Sequence, residues 1–202
     1  MEKNTDRKEL KTTSGKDYLD KDFSAELNYK LWTTKGARFT ASRRLKENSE
    51  LSSYTIGFLT VYIIIINLIS VFNIETISIL TPQALAFITT GLSILVLVFS
   101  QLENANEYRL RAEKFHDCAL EIGDLYNDLR YIKTTLKDHD EINKESRKIA
   151  DKYGLVLRKY ENHAPIDFDY FETTKAEYFS LNGYQVFWTR TKFYFKTLCT
   201  IY

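Results

Sequence analysis

The chain has 202 residues, a net charge of +1 and 27% charged residues. Nucleic-acid-binding proteins usually carry a strong excess of basic residues. The nearly neutral net charge therefore argues against this class of protein, and we expect no direct nucleic-acid binding. Two cysteines are too few for a disulfide framework or a cysteine-rich metal site, and seven Gly with two Pro favour long helices with few loops.

The N-terminal part of the chain is polar. Residues 1–21 have the composition of a disordered tail. Asp22 is a candidate N-cap for a cytoplasmic pre-membrane helix over residues 22–50, which we expect to bend near Glu47–Ser49. We expect no signal peptide before the first apolar run, which would serve as its own insertion signal.

Two apolar runs follow, Tyr54–Phe72 and Pro82–Ser100, and Glu75 is the single charged residue between residues 51 and 102. Each run has 19 residues, and as a helix it would extend about 28 Å, close to the thickness of the hydrocarbon core of a bilayer. The runs therefore predict a transmembrane hairpin of two helices.

The charges around the hairpin predict its orientation. The connection over residues 73–81 has no Lys or Arg, whereas the segments before the first run and after the second one do. Because positive residues stay on the cytoplasmic side, we expect both termini in the cytoplasm and an extracytoplasmic loop at 73–81. The predicted protein is thus multi-pass and all-α, with residues 101–202 forming a cytoplasmic helical bundle.

A heptad pattern continues after the second run. We expect the helix that starts at Pro82 to run on without a break as a stalk to about Lys137. The apolar face that this heptad pattern creates can pack against a helix predicted over Glu141–Glu161. We also expect self-association into a homo-oligomer. The candidate stalk-packing residues are Tyr108, Phe115, Ile122 and Leu129.

Three turn signals divide the rest of the chain. Asp138 is a candidate N-cap. Asp169 resembles a second cap, which would open a helix to about Leu181, and Gly183 with the preceding Asn is a candidate helix stop. The aromatic and basic segment Tyr184–Tyr202 suits either the bilayer surface or the bundle.

No pattern of residues indicates catalysis. The chain has no Gly-rich phosphate loop, no His-Glu-x-x-His and no visible pairing of a nucleophile with a base. His163, Asp167 and Asp169 are an alternative cation site, but an acidic first helical turn explains them better. We therefore expect no enzyme, no catalytic residue, no cofactor and no bound metal.

Polar residues inside the two runs are candidates for pore lining or for helix interfaces. Small and hydroxyl-bearing residues let helices approach and bond each other, and a carboxamide near the middle of the membrane needs a partner or water. Two spans cannot enclose a channel, so a pore requires several copies. These residues are Thr60, Asn67, Ser70, Thr89 and Ser93.

Three arginines precede the first run. Arg38, Arg43 and Arg44 form a candidate membrane-proximal basic patch. The patch either only sets the topology or contacts anionic headgroups, a partner or an acidic ligand.

Three stretches together resemble a known family. They are LWTTKGARFTASRRL at Leu31–Leu45, LENANEYRLRAEKFHDCALEIGDLYNDL at Leu102–Leu129, and YENHAPIDFDYF at Tyr160–Phe171. In this order around the hairpin they resemble the SLATT domain (SMODS and SLOG-associating two-transmembrane effector), most closely its fifth subfamily. The resemblance covers about Leu27–Phe171.

The resemblance implies a function at the bacterial inner membrane. Members of the family are membrane effectors of conflict systems, encoded beside sensors such as a reverse transcriptase or a nucleotide-messenger synthase. The resemblance implies that they form pores when activated, so that an infected cell dies before phage matures. Our hypothesis is an oligomeric, pore-forming effector of antiviral defence that acts by abortive infection. The alternative is a membrane-anchored scaffold or sensor subunit that recruits a partner without forming a pore.

Overall fold

A computed structural model describes residues 22–72 and 81–199, and in these ranges it contains helices and no strand. The predicted all-α class is confirmed. The predicted tail at 1–21 and all but the last residue of the predicted loop at 73–81 lie outside the described residues. The helices are α1 Phe23–Val71, α2 Pro82–Asn106, α3 Tyr108–Thr135, α4 His139–Lys159, α5 Pro165–Thr173 and α6 Gly183–Cys199.

Helix α1 is one continuous helix of 49 residues, or about 73 Å at 1.5 Å per residue. Asp22 caps it as predicted, because its carboxylate accepts a hydrogen bond from the Ser24 N–H at 2.8 Å. The helix is not interrupted at residues 47–49, where we predict a bend. Nothing local breaks the helix there, and buried neighbours such as Leu45 and Ser52 hold this part of α1 against the chain that follows the hairpin.

The prediction of an unbroken stalk is wrong. Helix α2 ends at Asn106, and α3 begins at Tyr108. Between them Glu107 has φ 47° and ψ 36°, the left-handed conformation. An L-residue adopts this conformation at a cost of about 1 kcal/mol, which the packing of α3 against α1 must offset. The stalk also ends at Thr135, before Lys137, where Leu136 is extended.

Helix α3 packs mainly against α1. Ala41 and Leu45 form one buried cluster with residues of α3 near its start. A second cluster joins Leu27 and Leu31 of α1 to the far end of α3 and to Ile149 of α4. All four predicted stalk-packing residues are buried in these two clusters, and we estimate that each stabilises the fold by about 1.5–3 kcal/mol; they are Tyr108, Phe115, Ile122 and Leu129.

Helix α4 returns antiparallel to α3. Asp138 caps it as predicted, accepting from the Asp140 N–H at 3.1 Å. At the other end of α4, Lys159 pairs with Glu121, which also accepts a hydrogen bond from the Tyr160 hydroxyl at 2.7 Å. These two hydrogen bonds hold the pKa of Glu121 below its usual value.

Two of the turn signals have other roles than predicted. Asp167, not Asp169, caps α5: it accepts from the Ala164 N–H at 3.0 Å, and Pro165 starts the helix. Helix α5 ends at Thr173 instead of Leu181. Asn182 with Gly183 does not stop a helix but starts α6, since the Asn182 side chain accepts from the Gln185 N–H at 2.8 Å. Asn and Gly are common both at the N-cap of a helix and just after a helix C-terminus. The pair Asn182-Gly183 therefore did not reveal from the sequence alone which end of a helix it marks.

Helices α1 and α2 are long and apolar enough to cross a membrane. The apolar 18-residue window of α1 is 0% buried against the rest of the protein, and that of α2 is 6% buried. The core helix of a soluble protein would instead be mostly buried. The two helices therefore form the hairpin of a two-transmembrane domain.

Candidate functional site in the hairpin and at its junction with the bundle

The two membrane helices meet along a mainly aliphatic seam. Thr89 is buried in this seam, and its hydroxyl donates to the Ala86 carbonyl at 3.1 Å. Ser70 is half-buried near the other end of α1. These two predicted residues thus face the partner helix of the same chain. Together with Thr89, the half-buried aliphatic residues of the seam recur every three or four positions, at Leu59, Ile63 and Ile66 of α1 and at Leu85, Leu92 and Val96 of α2.

The other three predicted residues lie outside the seam. Thr60, Asn67 and Ser93 are exposed on the hairpin surface. The Thr60 hydroxyl donates to the Ile56 carbonyl at 2.8 Å, and the Ser93 hydroxyl to the Thr89 carbonyl at 2.8 Å. The structure shows no hydrogen-bond partner for the Asn67 carboxamide among the described residues. Because an unpaired amide is costly in hydrocarbon, Asn67 is the residue of the hairpin that most requires a partner or water.

Small residues accompany these polar groups on the exposed surface. Gly57 is one turn from Thr60, and a Cβ built on it would meet nothing within 4 Å. The same holds for Gly91, two residues before Ser93 on α2. Small residues allow the backbones of membrane helices to approach closely. Both outer faces of the hairpin are therefore sterically open to another helix.

Two arginines of the predicted basic patch are buried in the protein. Arg38 is 1% exposed; it donates to the Glu161 carbonyl and, at 3.1 Å, to Asn162 Oδ1, and its guanidinium lies 5.3 Å from the centre of the Phe115 ring. Arg44 forms two hydrogen bonds with Asp167, at 2.7 and 3.0 Å. Arg38 thus fastens α1 to the connection between α4 and α5, and Arg44 fastens it to the first turn of α5, so neither is available to lipid headgroups.

Arg43 differs from its two neighbours. It stays exposed, forms an ion pair with Glu47 at 3.7 Å, and lies 4.9 Å from the centre of the Tyr170 ring. The predicted patch is thus one exposed arginine beside two buried ones. The sequence could not show which arginines are buried, because the residues that bind Arg38 and Arg44 lie far along the chain, at 161–167.

No catalytic or metal centre is visible in the described part of the chain. The candidate cation ligand Asp167 is already occupied by Arg44 and by the Ala164 N–H. The described residues contain no group of three or more His, Cys, Asp or Glu that is placed to hold a metal ion. Burial, followed by the nearby Arg38, lowers the pKa of His163. Burial raises the pKa of the Cys118 thiol, so this cysteine is a packing residue rather than a reactive thiol.

Buried polar groups without partners lie at the junction between hairpin and bundle. Asn48 is 0% exposed, and neither atom of its amide has a hydrogen-bond partner among the described residues. Ser49 donates to one carboxylate oxygen of Glu103 at 3.1 Å, while the other oxygen is buried without a partner. Each such group costs about 1–3 kcal/mol. Sequence reasoning missed Asn48, although its place on the face of Leu45 and Ser52 is a usable signal.

The junction also has an open groove between α1 and α3. Its volume is about 640 Å³. The lining combines side chains of both charges with a larger share of apolar surface, which suits a peptide that has both polar and apolar side chains. The charged or polar residues that line it include Ser42, Lys46, Ser49, Arg109, Glu113 and His116.

Comparison with known families identifies the chain. It matches the model of the SMODS and SLOG-associating 2TM effector domain family 5 over residues 20–202. The chain belongs to this SLATT family. The match extends the resemblance beyond Phe171, so that α6 is part of the SLATT domain. No curated protein and no solved structure is significantly similar to the chain.

The family description agrees with the structure. The two membrane helices of a SLATT domain correspond here to α1 and α2, the two helices that are apolar and unburied. The name also associates the domain with SMODS and SLOG proteins and describes it as an effector. The protein is therefore an effector domain of the two-transmembrane type.

Proposed function

We propose that this protein is a membrane effector of a bacterial anti-phage conflict system. On activation it oligomerises in the inner membrane and forms a pore or disrupts the bilayer, and the infected cell is lost before phage matures. The observation that carries the proposal is the outward position of Thr60, Asn67 and Ser93. Polar groups outside the seam of one hairpin find partners or water when several hairpins assemble around a lumen.

The proposed topology places both termini in the cytoplasm. The basic residues flank the apolar runs on that side, and the connection over residues 73–81 carries none. The bundle of α3–α6 then faces the cytoplasm, where a genomically linked sensor would act on it. We propose neither a catalytic nor a cofactor-dependent role for the domain.

Helix α1 is the proposed route by which the bundle acts on the membrane. It is continuous from Phe23 to Val71, and its cytoplasmic half is fastened to α5 by the buried pair of Arg44 with Asp167. A displacement of α5 is therefore transmitted along a rigid helix to Thr60 and Asn67. The second helix is interrupted at Glu107, which lets α2 and α3 change their relative direction.

Membrane depolarisation in bacterial cells tests the proposal. Cells that express the full chain together with its neighbouring genes are challenged with phage, and the membrane potential is followed with a fluorescent dye. We expect wild-type cells to depolarise, Asn67→Leu to abolish the response and Asn67→Gln to retain it. An intact potential in arrested wild-type cells would count decisively against a pore.

A matched pair of threonines provides the control. Thr60 and Thr55 both donate to the carbonyl four residues earlier in α1, but Thr55 is half-buried and Thr60 is exposed. The Thr55→Val variant should depolarise cells like the wild type, and Thr60→Val should respond more weakly. Equal depolarisation of cells with the two variants would contradict a lumen-facing role of Thr60.

The alternative function is a membrane-anchored scaffold or sensor subunit that recruits a partner without forming a pore. The open groove of about 640 Å³ between α1 and α3 favours this alternative, since it offers a partner site near the membrane boundary. Replacing residues 54–100 by an unrelated two-helix anchor separates the two functions. A scaffold would still protect the cells, and a pore-forming effector would not.

A further inference from the structure

Helix α6 carries an exposed aromatic face. Phe193 and Thr197 are buried on one side of the helix, where the Phe193 ring lies 4.1 Å from that of Tyr170. On the opposite side six aromatic or aliphatic residues occupy about a third of the helix circumference, among them Phe187 and Phe195 at 67% and 68% exposure. We call this face the aromatic strip: Tyr184, Phe187, Trp188, Tyr194, Phe195 and Leu198.

The aromatic strip is basic at its edge. Lys192 and Lys196 are exposed beside it, and residues 183–199 contain no Asp or Glu. The Lys192 ammonium lies 5.6 Å from the centre of the Trp188 ring. A partner for this face needs apolar contacts in the middle and negative charge at the margin.

Helix α3 presents a surface of that kind. Beside its buried seam it carries a second series of residues that are spaced by three and four, and all of them are exposed. Asp117 and Asp124 in this series form no ion pair with any described residue. We call this face the acidic strip: Leu110, Glu113, Asp117, Leu120, Asp124, Asn127 and Tyr131.

The two strips overlap in height along α1. Phe193 contacts Tyr170, whose ring lies 4.9 Å from the Arg43 guanidinium. On α3, the His116 ring lies 5.5 Å from that of Phe39. The middle of the aromatic strip and the part of the acidic strip around Asp117 therefore lie near residues 39–43 of α1, and the part of the acidic strip after Asp117 extends past Lys35, which lies beside Gly123. Copies of a membrane protein associate side by side. Only surfaces that lie at the same distance from the membrane can therefore contact each other.

The direction of α6 argues against the bilayer as the partner of the aromatic strip. The last turns of the helix reach the membrane boundary, where Tyr194 and Leu198 line a groove with Tyr54. Trp188 is ten residues before Leu198, or about 15 Å farther from the membrane along the helix. Most of the strip therefore stands above the lipid.

We propose that the aromatic strip of one copy docks against the acidic strip of a second copy. Lys192 and Lys196 would face Asp117 and Asp124, and the aromatic rings would cover Leu120. Because the two strips differ, the contact is head-to-tail, and repeating it around the membrane normal generates a ring. The inference rests on the oligomer of the proposed function and assigns its cytoplasmic interface.

Cysteine cross-linking in membranes of cells that express the full chain tests the contact. Starting from a Cys118→Ser/Cys199→Ser background, Leu120→Cys and Trp188→Cys are introduced singly and together, and a short bifunctional thiol reagent is added. We expect no product from either single variant, dimers when the two are co-expressed, and a ladder from the double variant. Leu155→Cys, on the exposed side of α4, replaces Leu120→Cys in the control and should give no ladder.

Charge reversal adds a second test. Lys192→Glu with Lys196→Glu should lower the yield of the ladder about tenfold, because like charges would then face each other. Adding Asp117→Lys and Asp124→Lys should restore it. Dimers from a single cysteine variant, or a ladder insensitive to charge reversal, would overturn the head-to-tail contact. So would quenching of Trp188 fluorescence by brominated lipid, which would place the strip in the bilayer.

The membrane potential of the same cells separates this inference from the proposed function. A charge-sensitive ladder in cells that never depolarise supports the interface and counts against the pore. Depolarisation in cells whose double variant gives no ladder overturns the interface and leaves the pore in place.

Discussion

Arg44 and Asp167 form a bidentate ion pair that is buried between α1 and α5. Arg44 Nε donates to Asp167 Oδ1 at 2.7 Å, and Nη2 donates to Oδ2 at 3.0 Å. The same carboxylate accepts the N–H of Ala164 and so caps α5. One side chain therefore neutralises a buried arginine and starts a helix, and the pair connects the helical bundle to the helix that enters the membrane.

Removing the carboxylate should destabilise the protein strongly. The Asp167→Ala variant leaves Arg44 buried without its partner, and we expect a loss of about 3–5 kcal/mol in the free energy of unfolding. Thermal unfolding in detergent micelles, followed by circular dichroism, measures this loss. The exposed pair of Arg111 with Glu161, at 2.8 Å, is the control, and Glu161→Gln should cost less than about 1 kcal/mol. Equal losses of unfolding free energy in Asp167→Ala and Glu161→Gln would show that water hydrates Arg44 in the Asp167→Ala variant.

Gly36 is required by the close approach of α5. A Cβ on this residue would overlap the Phe171 ring. We expect Gly36→Ala to lower the free energy of unfolding by about 1–3 kcal/mol through overpacking, and Phe171→Leu in the same chain to recover part of it. Gly154→Ala is the matched control, since nothing lies within 4 Å of its added Cβ and alanine should stabilise α4 by about 1 kcal/mol. A stabilising Gly36→Ala would contradict the packing of α5 on α1.

The left-handed conformation of Glu107 makes a prediction about the break in the stalk. Glycine adopts φ 47° without steric cost, so Glu107→Gly should be neutral or stabilise the fold by up to about 1 kcal/mol. Glu107→Val should destabilise it by more than that, because a β-branched residue resists this conformation. Chemical denaturation in micelles gives both values. If valine were tolerated as well as glycine, the helix would have to continue through residue 107.

His163 should make the stability of the protein depend on pH. Burial and then Arg38 lower its pKa from the usual 6.5. Between pH 6.5 and this lower pKa, the unfolded chain therefore binds a proton that the folded chain does not bind. The free energy of unfolding should therefore fall as the pH decreases from 6.5 to the folded pKa of His163 and level off below it. The His163→Gln variant should remove this slope, whereas His139→Gln, at an exposed position, should retain it. An unchanged slope in His163→Gln would assign it to other groups.

Local signals in the sequence predicted much of the fold. The two apolar runs predict the membrane hairpin, because a helix of 19 residues without charge is explained by lipid and by little else. Asp22 and Asp138 were predicted as caps, since each precedes a periodic helix and bonds only to a nearby N–H. The buried seam of α3 was visible as a heptad pattern.

The candidate site was predicted only in part. Thr60, Asn67 and Thr89 are equivalent in the sequence, and only the packing of α2 against α1 places Thr89 in the seam and the other two outside it. The burial of Arg38 and Arg44 was not predicted, because their partners lie more than 120 residues away. Asn48 was missed although it shares a helix face with Leu45 and Ser52, because its lack of a hydrogen-bond partner depends on the packing around α1.

The amino-acid sequence by itself determined that the chain is helical and that it contains two membrane-length apolar segments, because both properties depend on neighbouring residues along the chain. The tertiary structure decided which helix is unbroken and which one turns at Glu107, since the packing of α3 on α1 offsets the cost of a left-handed residue. It also decided which polar residues are satisfied within one copy. That property depends on contacts between distant segments, which periodicity cannot encode.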